Sequence, residues 1–140
     1  MQRTAIVVSK SLAPGEVANA TAIIMGQLAQ RSLDLYGQNE LRDKDDVVHA
    51  AIAYNVVILR ARPAQMTKFI DAVRGASLSY CAFGSAGRSL SNSFNEYAKL
   101  VESSNTEDLQ VIAAGATGDD EAIRLACQGL SVYAPQAEQS

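Results

Sequence analysis

The feature that most restricts this chain is a repeated pairing of two patterns. A short apolar run rich in β-branched residues leads through a proline- or glycine-bearing connection into apolar positions at helical spacing. "TAIVVS", Thr4 to Ser9, passes through "KSLAPG" into a stretch whose Val17, Ala20, Ile24 and Leu28 share one helical face. "NVVILRA", Asn55 to Ala61, is followed by Pro63 and then by Met66, Phe69, Ile70 and Val73 at i, i+3, i+4 and i+7, with Gly75 as a stop. Pro14 and Pro63 both fall where a first helical turn tolerates a missing N–H. Continuous apolar strands alternating with helices predict an α/β domain with a mostly parallel, helix-covered sheet.

The same reading extends along the chain. Ala18, Ala22, Met25 and Ala29 fill a second face of the first helix, which is therefore expected to be largely buried and to fray near Gly37. Residues 38–46, "QNELRDKDD", form a solvated link, and "VVHAAIAYN" fits a strand or an irregular crossing equally well. "SLSYCAF" predicts a third strand and "DLQVIAAG" a fourth. Between them Phe94, Tyr97, Leu100 and Val101 lie at helical spacing in an otherwise polar segment. Thr117 with Asp120 resembles a capping box for a last helix that turns Ile123, Ala126, Cys127 and Leu130 inward. One domain over residues 1–134 and a disordered tail over 135–140 account for all 140 residues.

Composition narrows the function classes. A net charge of −3 lacks the basic excess of a nucleic-acid binder, although Arg60, Arg62, Lys68 and Arg74 offer a local patch. No apolar run approaches the roughly 20 residues of a membrane span, and no signal-peptide pattern is present. Cys81 and Cys127 lack metal-ligand spacing, so a reducing, cytoplasmic setting is expected, with no metal and no cofactor. His49 is the only histidine and sits among apolar residues, which predicts a packed, hydrogen-bonded side chain. A pair of Ser85 with His49 would lack any third group to orient it.

Ligands of parallel sheets bind beyond the carboxyl ends of the strands. Three connections therefore become candidates: Lys10 to Gly15, Gly84 to Ser89, and Gly115 to Asp119. "GSAGRS", starting at Gly84, is the most suggestive, since small residues can aim backbone N–H groups at an anion and Arg88 adds a forked donor. It lacks the Gly-Lys-Ser/Thr step of a phosphate loop, and Phe83 stands where a nucleophile elbow needs glycine. A plain turn with a solvated arginine explains the same residues. The turn "AAGATGDD" places Asp119 and Asp120 at a helix start, where they complement the dipole and repel phosphate.

"IVVSKSLAPGEVANATA", then "SAGRS", then "VIAAGATGDDEAIRLACQGLSVY" together resemble the type-2 peptidyl-tRNA hydrolases, and more closely an uncharacterised bacterial family sharing their fold. The resemblance runs from Ile6 to Tyr133. It implies a single three-layer α/β domain, a mixed four-stranded sheet flanked by helices, and a homodimer. The hydrolases carry a functional Gly-Lys step at the first helix; here Gly15 is followed by Glu16, which reverses the charge. A glutamine and a histidine of theirs correspond to about Ala20 and Ile23. Their loop reads Asp-Ala-Gly-Arg-Thr, whereas here it reads Ser85, Ala86, Gly87, Arg88, Ser89. The arginine and a terminal hydroxyl are kept, but the acid has become Ser85, which cannot hold a proton as a general base near neutral pH. Glu16 can pair with Lys10 or Arg88, which would keep the pocket polar with its charges rearranged.

Three functions stay open at this point. The first is a module binding a small polar or anionic ligand through Lys10, Glu16, Gly84, Ser85, Gly87, Arg88 and Ser89. The second is a hydrolase acting on peptidyl-tRNA or a related ester, and the third a dimeric interaction scaffold. The ligand-binding module is the leading expectation.

Overall fold

The first strand forms the centre of the sheet in a computed structural model, which describes residues 1–90 and 92–134. Strand β1 (Gln2–Ser9) pairs in parallel with β4 (Val56–Ala61), Thr4 opposite Val56 and Ser9 opposite Ala61. The hairpin β2 (Leu41–Arg42) and β3 (Val48–His49) lies between them in sequence and forms its own two-stranded sheet. Strand β5 (Ser79–Gly84) pairs antiparallel with β6 (Val111–Asp119), which in turn runs antiparallel to β1. A two-residue β7 (Ser131–Val132) closes onto β4, giving the order β5-β6-β1-β4-β7.

The domain is α/β with a mixed sheet. Two expectations need correction. The main sheet has five strands rather than four, because the short β7 pairs at Leu59 and Arg60. It is also not mostly parallel. After β5 the chain makes a short helix α3 (Ala86–Ser89), α4 (Phe94–Glu102) and a 3₁₀ turn at Thr106–Leu109. None of them recrosses the sheet, so β6 starts at the end where β5 stopped and must run antiparallel. Helix α4 has no fully buried residue, and its Phe94, Leu100 and Val101 are exposed.

Alternation along β1 builds the core on both sides. Ile6 and Val8 face helix α1 (Pro14–Arg31), whose Val17, Ala20, Ile24 and Leu28 are buried. Ala5 and Val7 face α2 (Pro63–Gly75) and α5 (Asp120–Ala126), with Met66, Phe69, Ile70, Val73 and Ile123 buried. Each large side chain so buried contributes about 1.5–3 kcal/mol. Helix α1 is less buried than its sequence implies: Ala18 and Ala22 are exposed, Met25 and Ala29 half-buried. It ends at Arg31, well before Gly37.

The alanine–glycine run of β6 is strand, not turn. A Cβ on Gly115 would lie 2.4 Å from Ile24 Cγ2 and 3.1 Å from Leu28, so the small residue lets α1 press against the sheet. Thr117 does not cap a helix. It is buried in the strand, where its hydroxyl oxygen accepts from Thr4 Oγ1 at 2.9 Å and Gln2 Nε2 at 3.1 Å. The cap of α5 is Asp119, which accepts the Glu121 N–H at 3.2 Å. The expected tail, 135–140, lies outside the described residues.

Candidate functional site

Strands β1, β4 and β5 point the same way and β6 runs against them, so Ser9, Ala61, Gly84 and the start of β6 meet at one rim. From this rim the chain leaves β1 for the α1 face and leaves β4 for the α2 face. The connections of two adjacent parallel strands thus diverge, which opens a crevice between them; this is where open α/β sheets bind ligands. A cleft of about 890 Å³ lies there, on the α2 side. Buried Ala61, Met66 and Ile70 line its floor, with half-buried Val111 beside them. Its polar lining comes from Ser9 at the end of β1 and Ser11 after it, Asp71 and Arg74 on α2, and Glu107 and Gln110 before β6.

The expected loop lies at the same rim, against α1. Arg88 Nη1 and Glu16 Oε2 form an ion pair, with both side chains about one-third exposed (34% and 39%). Glu16 also accepts the Ala13 N–H at 2.9 Å, as an acid in a first helical turn can. The Arg88 guanidinium, aided by that N–H, holds the Glu16 carboxyl below its ordinary value of 4.5. Arg88 is therefore a compensated charge, and of the two pairings open to Glu16 the structure contains the one with Arg88. Lys10 is exposed at the rim and, among the described residues, forms no ion pair. Its backbone N–H bonds the Ala61 carbonyl at 3.0 Å.

The glycines of the loop serve packing. A Cβ on Gly84 would sit 2.5 Å from the Leu109 carbonyl oxygen, and one on Gly87 would sit 2.2 Å from the buried Phe83 ring. Ser89 donates to the Ala86 carbonyl at 3.1 Å. Ser85 donates its hydroxyl to Gln110 Oε1 and its N–H to the Gln110 carbonyl, both at 3.1 Å. Gln110 thus ties the loop to the cleft, and it does so with φ +48°, a left-handed backbone uncommon for a non-glycine residue. Such conformations concentrate at functional positions.

Other sequence candidates lie elsewhere. Because β6 is antiparallel, Gly115 to Asp119 leads to the opposite end of the sheet and is no part of this rim. His49 is not packed: it is exposed on β3, with Nε2 2.7 Å from Asp43 Oδ2, while Ser85 is engaged with Gln110. The surrounding Leu41, Val47 and Val48 are exposed too, since the hairpin stands off the core. The basic residues do not form one patch. Arg74 lines the cleft, whereas alternation from buried Leu59 and Ala61 turns Arg60 to the α1 face. Cys81 and Cys127 are half-buried, and burial pushes both thiols up to about 11, so neither is a reactive thiolate. The cleft residues Ser9, Asp71, Glu107 and Gln110 were not singled out by sequence, and Ser11 only as part of the Lys10 to Gly15 connection. Only the i, i+3 spacing of Asp71 and Arg74 on the polar face of α2 hints at them.

Comparison with known proteins agrees with the fold and leaves activity open. The chain is similar to a solved protein of unknown function from Agrobacterium tumefaciens strain C58, with a TM-score of 0.83 at 13% identity, covering 95% of this chain and 98% of that one. At that identity the likeness speaks for the fold alone. No curated protein matches. A family described as "Protein of unknown function (DUF2000)" matches residues 2–134, nearly the whole chain with both flanks of the rim. The chain belongs to the DUF2000 family.

Proposed function

We propose that this chain is a small-ligand-binding module on a three-layer, type-2 peptidyl-tRNA hydrolase-like fold, and that its site is the cleft between the carboxyl ends of β1 and β4. The observation that carries this reading is the placement of a cleft of about 890 Å³ at the point where the β1 and β4 connections diverge. The volume lies within the usual range of roughly 300–1,000 Å³ for ligand sites, and the apolar floor with a polar rim matches their usual lining. The hydrolase alternative fares less well. Glu16 stands in place of the lysine and is bound to Arg88, and Ser85, in place of the acid, spends its hydroxyl on Gln110. In this reading the loop residues first expected to hold the ligand support the rim, and the ligand lies in the cleft beside them. A cytoplasmic setting belongs to the same proposal.

The test is a screen of small polar compounds by thermal shift and NMR, on native protein and on Thr67→Trp, which fills the cleft from the exposed side of α2. Ligand responses lost in Thr67→Trp support the reading; responses unchanged by it move the site elsewhere. Peptidyl-tRNA cleavage by the native protein, abolished in Arg88→Ala, would overturn the non-catalytic reading.

One observation favours the scaffold as a second reading. Leu41, Val47 and Val48 are each about half exposed on the stand-off hairpin, and exposed Ile52, Tyr54 and Val56 follow it in the chain. The homodimer implied by the hydrolase resemblance would bury them. Sedimentation of native protein against Val48→Asp checks this: a dimer converted to monomer supports it, and a native monomer sinks it.

A further inference from the structure

We infer that the cleft takes a small zwitterion with an apolar body, a free apolar amino acid or a dipeptide of such residues. This rests on the cleft being a ligand site. Three charged side chains line it, and among the described residues none of them has an ion-pair or hydrogen-bond partner: Asp71 and Arg74 on α2, and Glu107 on the 3₁₀ turn. Asp71 and Arg74 are three residues apart on the same helix, a spacing that brings side chains together, yet they do not pair. Their charges stay available to a third group.

The signs restrict that group. Arg74 presents a planar fork suited to a carboxylate. Asp71 and Glu107 approach from different elements, and two carboxylates lining one cleft favour a cation between them. A simple anion would meet two acids against one base. A plain amine would leave Arg74 without a partner. A molecule carrying both an ammonium and a carboxylate answers all three. Its uncharged part would lie on buried Met66 and Ile70 and half-buried Val111, which carry no polar side-chain group. Ser9 and Ser11, whose hydroxyls are 2.9 Å apart, add donors and acceptors at the mouth.

The experiment is an NMR titration of the full chain, reading the amides of Met66, Ile70 and Val111 with leucine, leucyl-leucine, N-acetyl-leucine, leucinamide, inorganic phosphate and adenosine monophosphate. Leucine or leucyl-leucine should shift these amides, and which binds tighter separates amino acid from dipeptide. N-acetyl-leucine, lacking the ammonium, and leucinamide, lacking the carboxylate, should each bind at least tenfold more weakly. Arg74→Gln should cost leucine at least tenfold while leaving leucinamide unchanged, and Asp71→Asn with Glu107→Gln should spare N-acetyl-leucine in the same way. If either masked analogue binds as well as its parent, the zwitterion assignment is wrong. If phosphate or the nucleotide shifts these amides and leucine does not, the cleft survives as a site and the ligand class falls. If nothing in the panel moves them, the assignment is overturned, and the broader screen on Thr67→Trp decides whether the cleft reading falls with it.

Discussion

The two flanks of the rim are built from similar residue types and behave differently. On the α1 side Glu16 and Arg88 answer each other, Ser85 is bound to Gln110, and Gly87 lies against Phe83. On the α2 side Asp71, Arg74 and Glu107 stand over an apolar floor and, among the described residues, have no ion-pair partners. Polar groups that satisfy one another fix the course of the chain; polar groups left open above buried apolar surface are suited to something that arrives from outside. In the proposed reading the α1 flank is a latch and the α2 flank a receptacle.

Substitutions that remove packing should separate the flanks most clearly. Phe83→Ala, beneath the latch, should cost about 3–5 kcal/mol in urea denaturation. A loss under about 1 kcal/mol would mean that the loop does not depend on the ring, and the latch would lose its foundation. Gly84→Ala comes next, at about 1–3 kcal/mol, because its Cβ meets a backbone carbonyl that cannot swing aside. On the other flank Thr67→Trp and Glu107→Gln alter exposed positions, the first losing only a 3.3 Å hydroxyl bond to the Pro63 carbonyl of its own helix, and should stay within about 0.5 kcal/mol of native. A large loss from either would show that the receptacle is itself structural.

The smallest effect tests the electrostatic side of the contrast. Glu16 ionises below its ordinary 4.5, so its pairing stabilises the folded state above pH 4.5 and is lost as pH falls through the lowered value. Arg88→Gln removes the main cause. The gap between native and variant denaturation midpoints should therefore be present at pH 7 and close below pH 4.5. A gap that does not narrow as pH falls below 4.5 would assign Arg88 to packing.

How much of this could be read beforehand depends on how local the cause is. β1, β4, α2 and the buried face of α1 follow from periodicity, and Pro63 and Gly75 bound α2 as the sequence implies. The last long strand was misplaced because "AAGATGDD" looks like a turn. Only contact with Ile24 and Leu28 explains why small residues belong in a strand there. The pairing of Glu16 with Arg88 was one of two options, decided by the approach of β5 to α1. Gln110 carried no sign at all, since glutamine gives no warning of a positive φ. The cleft combines residues 9–11, 61–74 and 105–112, which meet only through strand pairing across the chain.

The place of β1 also has a kinetic consequence. As the middle strand of the sheet, it must find β4 about fifty residues on and β6 more than a hundred residues on, with Gln2 opposite Asp119. Contacts this distant in sequence make folding slow, because the entropy of closing the loops is lost before the sheet repays it. A chain growing on the ribosome cannot complete its central sheet until β6 has emerged. Until then β1, with Ala5 to Val8 destined for the core, waits with one edge unpaired. That interval, more than any part of the finished molecule, is when this protein is most open to association with the wrong partner.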